Sequence, residues 1–298
     1  RNRYLQRAEF RNTNWFKELF SSNIMQSHSI SLSGGTQKSN YYASFSALLD
    51  PGWYKQSNVN RYTLSVNLTQ HLSDKLSLNL IGGAAYRKQR APGTLGQDVD
   101  VVGGEVKRDF DINPYSYASN TSRVLDTSAT YVANYAPFNI FNELNNNYID
   151  LNTLDARFQL EFKYKPIKGL ELSLLGAFKY MASTQEHFVK DNSNQALAYR
   201  AMANGIIRDA NKYLYKDPNN PYVLPMTVLP YGGLYHKGDN RMSDYDIRAT
   251  ANYSHTFAEK HIMNLFGGME LKSIERQRNV FEGAGLRYDA GMVPFYIY

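Results

Sequence analysis

The sequence predicts an all-β fold: about eight strands of a larger antiparallel β-barrel that crosses a membrane. Three observations carry this reading. Apolar and polar side chains alternate with period two in several segments, tight turns alternate with very long loops, and aromatic residues gather near the strand ends. Period-two alternation sorts side chains onto the two faces of a sheet. A barrel strand facing lipid needs only every second residue to be apolar.

The elements follow in chain order. Residues 15–20 form a short helix opened by Thr13 or Asn14 as N-cap. Strands at 27–33 and 41–49 flank the turn Gly34-Gly35-Thr36-Gln37-Lys38. Tyr62, Leu64, Val66 and Leu68 alternate with Thr63, Ser65 and Asn67, turn at Ser73-Asp74-Lys75, and are answered by Leu76, Leu78 and Leu80. Leu154, Ala156, Phe158, Leu160, Phe162 and Tyr164 alternate with polar residues, turn at Pro166-Ile167-Lys168-Gly169, and return through Leu170, Leu172, Leu174, Phe178 and Tyr180. The last pair runs through Tyr245, Ile247, Ala249, Ala251 and Tyr253, turns at Ala258-Glu259-Lys260, and returns through Met263, Leu265, Met269 and Leu271. Each strand has about the 9–11 residues that cross a tilted barrel wall.

The connections near 34–39, 72–75, 165–169 and 256–260 are tight, the one near 50–58 is intermediate, and those near 89–152 and 182–242 are very long. Long structureless loops are rare in compact soluble domains. Tight turns on one side and long loops on the other is the sidedness of an outer-membrane barrel, which places the turns in the periplasm and the loops outside the cell. Tyr86, Phe178 and Tyr180 fall at the loop ends of strands, and Phe162, Tyr164, Tyr253 and Phe257 near the turns, as two aromatic girdles would. A helix is expected within the second loop, over 195–215. Leu80-Ile81-Gly82-Gly83, Leu174-Leu175-Gly176-Ala177 and Leu265-Phe266-Gly267-Gly268 recur at like positions of three return strands, and Arg61, Arg157 and Arg248 on the polar face of three outgoing ones. This is hairpin recurrence within one large barrel domain of which residues 1–298 form a part.

Composition narrows the function. The 298 residues are 43% hydrophobic, yet no apolar run approaches the roughly 18 residues of a membrane helix. There are 24 Tyr, 15 Phe and no Cys, which removes disulfides, zinc–thiolate sites and a cysteine nucleophile. The formal charge of +6 is spread along the chain, with no basic stripe for nucleic acid; basic loop residues suit outer-membrane lipid and anionic lipopolysaccharide instead. The chain starts at Arg1 without initiator Met or signal peptide and reads as a piece of a longer precursor. His28, His71, His187, His236, His255 and His261 are scattered and make no metal spacing. The acidic pairs Asp98/Asp100 and Asp109/Asp111, and Asp191 before Asn192 and Asn194, lack the full calcium-loop pattern and read as solvated loop carboxylates. No nucleophile elbow, P-loop or dinucleotide fingerprint appears, so no catalytic residue, metal or cofactor is assigned. The candidate substrate-binding residues are loop aromatics with their neighbours: Tyr115, Tyr117, Arg123, Tyr131, Tyr135, Tyr231 and Tyr235. The plainer reading is that these rings pack the long loops against one another.

Trp15, Glu18 and Phe20, then Ser27, His28, Ser31, Ser33, Gly34 and Gly35, then Tyr42, Ala43 and Ser44 stand in an order that resembles the SusC/RagA family of TonB-dependent outer-membrane transporters. NPYSYASNTSR, YAPFNIFNELNNNYIDL and VLPYGGLY look like loops of the same family. The resemblance implies a 22-stranded barrel around an N-terminal plug that this chain lacks, in the outer membrane of a Bacteroidetes-type bacterium. It also implies a SusD-like surface lipoprotein as lid, energy from the TonB complex, and cargo that is an oligosaccharide or an oligopeptide. A passive porin or adhesin barrel is the alternative. A soluble β-rich carbohydrate-active enzyme is the third reading.

Overall fold

The structure, a computed structural model, describes residues 2–93, 98–100, 105–107, 110–257 and 261–294. Eight long strands form one antiparallel sheet: β1 Gln26–Gly35, β2 Ser39–Asp50, β3 Asn58–His71, β4 Leu76–Pro92, β5 Asn147–Tyr164, β6 Leu170–Val189, β7 Gly233–Phe257 and β8 His261–Arg287. Every strand pairs with the strand before and after it, and Val293–Pro294 adds a short ninth against the end of β8. This is the all-β meander that the alternation predicts. The turn Ala258-Glu259-Lys260 lies outside the described residues.

The register settles which residues share a face. Tyr62, Tyr86 and Leu154 lie in one row. Phe158, Phe178 and Tyr245 lie in another, with Val66 and Gly82. All belong to the apolar set. No layer covers them: Leu64 is 47% and Phe158 44% exposed, and Phe162, Leu174, Ile247 and Leu271 are likewise open. Soluble monomers rarely expose a contiguous apolar face this large.

The apolar face forms a band with a sloping edge. Its last large residue toward the loops is Tyr62 on β3, Tyr86 on β4, Leu154 on β5, Tyr180 on β6, Tyr245 on β7 and Leu271 on β8; beyond it come Asn60, Lys88, Asn152, Ala182 followed by Thr184, Ser243 and Ser273. Through the register, Leu271 stands level with Leu68, six residues below Tyr62. Six residues over five strand spacings, at ~3.3 Å per residue and ~4.8 Å between strands, is a tilt of about 40°. Membrane barrels tilt their strands by roughly 35–45°. Tyr164 to Leu154, tilted so, spans about 25 Å, the height of a barrel's apolar band.

The strands run further than the alternation indicates. The β6–β7 ladder continues from Leu170↔Tyr253 to Val189↔Leu234, and β7 and β8 reach 25 and 27 residues. Tyr180 and Tyr86 therefore mark the edge of the apolar band, with further ladder above them, rather than the ends of strands. The long loops shrink to residues 93–146 and 190–232.

Polar side chains open the short helices. Asn14 caps α2 (Trp15–Leu19), as expected; α1 is Asn2–Glu9. Asn113 caps α3 (Pro114–Asn120) and Asn139 caps α4 (Ile140–Asn146). Each side-chain oxygen takes an otherwise unpaired amide of the first turn. The expected helix over 195–215 is instead two: α5 Asn194–Tyr199, capped by Ser193, and α6 Gly205–Ala210, capped by Asn204. Asn204-Gly205 favours a new cap over helix continuation. The buried core sits among these loops: Trp15, Leu19, Ile112, Ala118, Ile140 and Leu144 form one cluster, and Val189, Ala196 and Leu229 another.

At the turn end, Gly169 has φ +89°, and Ser254 donates its amide to the Gly169 carbonyl at 2.8 Å. A Cβ there would press on the Ser254 carbonyl, whereas one at Gly176, inside the band, meets nothing within 4 Å. Gly169→Ala is expected to cost on the order of 1–3 kcal/mol, and Gly176→Ala to stay within about 0.5 kcal/mol of the parent. Denaturant unfolding of the full-length protein measures both; equal effects would contradict the turn geometry.

Candidate functional site

The face opposite the apolar band is polar in its lower rows, and the loops fold back over its upper end. Asn147, Gln185, His187 and Val189 belong to that face, on the register rows of β5 and β6. Here the His187 Nε2 lies 2.7 Å from Asn147 Oδ1, and Asn147 Nδ2 donates to Gln195 Oε1 of α5 at 3.3 Å. Val189 packs with Ala196, Leu229 and Leu234. The second loop is thus clasped onto the polar face.

One residue ties the two loops together. The Asn194 side-chain amide donates to the carbonyls of Ala133, Ala136 and Pro137 at 2.8, 3.0 and 3.1 Å. Its backbone amide donates to Glu143 Oε1 at 2.9 Å, and Asn142 Nδ2 donates to the same oxygen at 3.0 Å. Glu143 is 1% exposed, and burial pushes its carboxyl up to about 7, against the pull of those two donors. The N-terminal segment is stapled to the first loop. Trp15 Nε1 donates to the Ser122 carbonyl at 3.0 Å, Thr13 Oγ1 to Leu125 at 2.7 Å, and Arg11 pairs with Asp126 at 2.9 Å.

Between this capped region and the polar face lies a cleft of about 520 Å³. Its floor is Ala91, Ile149, Leu151 and Gln185 of β4, β5 and β6. Its wall carries the rings of Tyr115, Phe20 and Tyr54; Phe16 behind them lies 5.8 Å from Tyr115 and 5.4 Å from Phe20, and Phe20 lies 6.2 Å from Tyr54. Trp53, 79% exposed, stands at the mouth. Its backbone is fixed by the Ser21 amide at 3.0 Å, and Gly52 beside it takes φ +78° to turn the loop. Asp111 and Asn113 supply polar groups at the rim. Exposed rings beside a few polar groups bind sugar rings or peptide side chains alike.

The structure places the sequence-predicted residues apart. Tyr115 lines the cleft. Tyr117 packs edge-on to Trp15 behind it, at 5.2 Å, and shares a hydrogen bond with Tyr131, whose ring lies 5.3 Å from Phe138. Arg123 reaches Asn12 at 3.5 Å. Tyr135 occupies a left-handed turn with φ +68° beside the Asn194 clasp. Tyr231 is exposed on the second loop. Tyr235 lies on the outer face above the band, where its hydroxyl donates to Glu186 at 2.5 Å. Packing thus accounts for Tyr117 and Tyr131, while Trp53, Tyr54 and Phe20 enter the cleft unforeseen. The signal available for them was an adjacent aromatic pair after Asp50-Pro51-Gly52, in a loop too short to need a core of its own. Of the acidic groups weighed as ligands, Asp111 lines the cleft, the side chains of Asp98 and Asp100 and all of Asp109 lie outside the described residues, and no metal-binding cluster occurs among the described residues.

No family model matches the sequence, and no curated protein is significantly similar to it. Among solved structures, the RagAB peptide transporter is similar with a TM-score of 0.59 and 19% identity, over 95% of this chain and 28% of that one. The RagAB peptide importer in its closed-closed state gives 0.58 and 19%, over 95% and 28%. In its open-open state it gives 0.57 and 19%, over 94% and 27%. At this identity the likeness is one of fold, and the chain spans little more than a quarter of the length of those chains.

Glu143 makes the loop clasp pH-dependent. Its folded value lies above that of a free carboxyl, so the contribution of Glu143 to the clasp is fully present below about pH 4.5 and is lost as pH rises toward 7, by up to about 3 kcal/mol. Corrected for intrinsic rates, amide exchange at residues 139–146 and 193–198 is expected to be faster at pH 8 than at pH 5. Glu143→Gln should remove that dependence. A variant with the parent's pH profile would contradict the assignment.

Proposed function

We propose that this chain is a stretch of the barrel of a SusC-like outer-membrane importer. In this reading a nutrient, an oligopeptide in the first instance, is held in the aromatic cleft beneath a SusD-like surface lipoprotein and released when the TonB complex acts on a plug inside the barrel. The observation that carries the reading is the exposed apolar band, tilted about 40° to the strands, set back to back with a polar face under a folded cap. Lipid covers the first and cargo passes along the second. The tight turns then face the periplasm and the capped loops the outside. The fold likeness to a peptide transporter supports transport over catalysis. Above Tyr86 on the outer face comes Lys88, where phosphates of outer-leaflet lipid or lipopolysaccharide would lie; Arg90 beyond it is held by Asp150 at 2.6 Å.

A folded clasp on the polar face supports this reading over an open pore. A passive porin needs a clear channel, whereas an importer needs loops that hold cargo until energy is supplied.

Two measurements test the proposal. Gentle detergent extraction of the full-length protein from native outer membranes, followed by mass spectrometry, is expected to recover a stoichiometric surface lipoprotein; its absence would favour a lone receptor or porin. In lipid vesicles, Phe158→Arg or Leu64→Arg should cost on the order of 2–4 kcal/mol while Gln159→Arg costs less than about 1 kcal/mol. Equal tolerance at positions 158 and 159 would contradict the lipid-facing assignment.

A further inference from the structure

The charges on the polar face are not evenly matched. In the lower rows the sheet neutralises itself. Lys179 lies 3.9 Å from Asp155, Lys272 3.8 Å from Asp244, Arg248 3.3 Å from Glu270, and Lys163 3.4 Å from Glu161. In the upper rows it does not. Arg61 stands directly opposite Arg87, and that row continues through Thr153, Ser183 and Asn240 to Arg278. Arg276 lies one row below Arg278 on the same face, in the row that Asp155 shares three strands away. Among the described residues none of these four arginines forms an ion pair, and Arg87 meets only the side-chain carbonyl of Gln89.

Like charges directly opposite each other destabilise a sheet. A transporter barrel concentrates that cost, because low-dielectric walls focus the field within the lumen. The arrangement is relieved by an anion between the arginines. A hollow of about 350 Å³ lies at the far end of the same row, lined by Thr153, Met181, Ser183, Asn240, Met242, Arg276 and Arg278; Arg61 and Arg87 stand outside it, at the end of the row nearer the aromatic cleft. Along β5, Thr153 is two residues from Leu151 on the floor of the aromatic cleft, about 7 Å.

We propose, resting on the importer reading, that the cargo is a peptide bearing carboxylates. The rings of the cleft take its apolar side chains, and Arg61 with Arg87 takes an acidic group one row deeper. Guanidinium forks bind carboxylates in paired, charge-assisted hydrogen bonds. Backbone amides and apolar side chains, which neutral peptides also offer, would leave this row unmatched.

The test is uptake by cells carrying the full-length protein and its lipoprotein, using labelled peptides that share their apolar residues and differ only in carrying two Glu, two Gln or two Lys. The Glu peptide is expected to exceed the Gln peptide by about tenfold at limiting concentration, with the ratio falling as salt rises. Arg61→Gln with Arg87→Gln should bring the ratio near one, and Arg61→Lys with Arg87→Lys should keep most of it. Equal uptake of all three peptides, or a ratio unchanged in the glutamine variant, would overturn this inference while leaving the importer standing. Uptake of none of them would overturn both. Selective uptake of an oligouronate in place of the Glu peptide would overturn the assignment to peptide.

Discussion

Side chains in a strand alternate faces, so a slip of one residue in any ladder would exchange every apolar side chain of that strand for a polar one. Seven consecutive antiparallel ladders here hold register over up to 24 residue pairs, and the rest of the molecule depends on that. The row from Tyr62 through Tyr86 to Leu154 keeps apolar groups together, and the neighbouring row from Arg61 through Arg87 to Thr153 keeps polar groups together. Neither face is a core in the ordinary sense. The hydrogen bonds of the ladder make a wall, and the side chains decide what each side of that wall tolerates.

The buried core lies instead where the wall ends. Trp15, Leu19, Ile140 and Leu144 exclude water among the loops, and Asn194 supplies the directional bonds that fix one loop against the other. A buried carboxyl at that junction, Glu143, is costly unless it holds its proton or its donors. Its place in the clasp makes the cap sensitive to pH. The wall needs no such device, because its stability is spread over the ladders.

The two-residue alternation made the sheet legible in the sequence. Leu154 to Tyr164 reads as a strand with one lipid-compatible face because no other periodicity fits it. The upper parts of β6 and β7 were hidden, since beyond Tyr180 and Tyr245 both faces turn polar and the alternation vanishes while the ladder continues. The helix expected over 195–215 failed at Asn204-Gly205, where a capping residue outweighed the helical spacing of the apolar groups. For the cleft, the loop aromatics were visible but their partners were not. Tyr115 and Tyr117 are two residues apart and face opposite ways, one into the cleft and one onto Trp15, a distinction set by α3 docking on α2. Trp53 and Phe20 come together only because the N-terminal segment crosses the loop end. The uncompensated row of Arg61 and Arg87 appears only once the register places them opposite each other.

The central claim is that one face of this sheet meets lipid and the other water. Nitroxide labels placed singly at each residue from 154 to 164 of β5, in the full-length protein in bilayers, read this directly. Collision rates with oxygen should peak at the even positions and those with a water-soluble nickel chelate at the odd ones, with period two throughout. Uniform accessibility along the strand, or peaks of the opposite phase, would contradict the account.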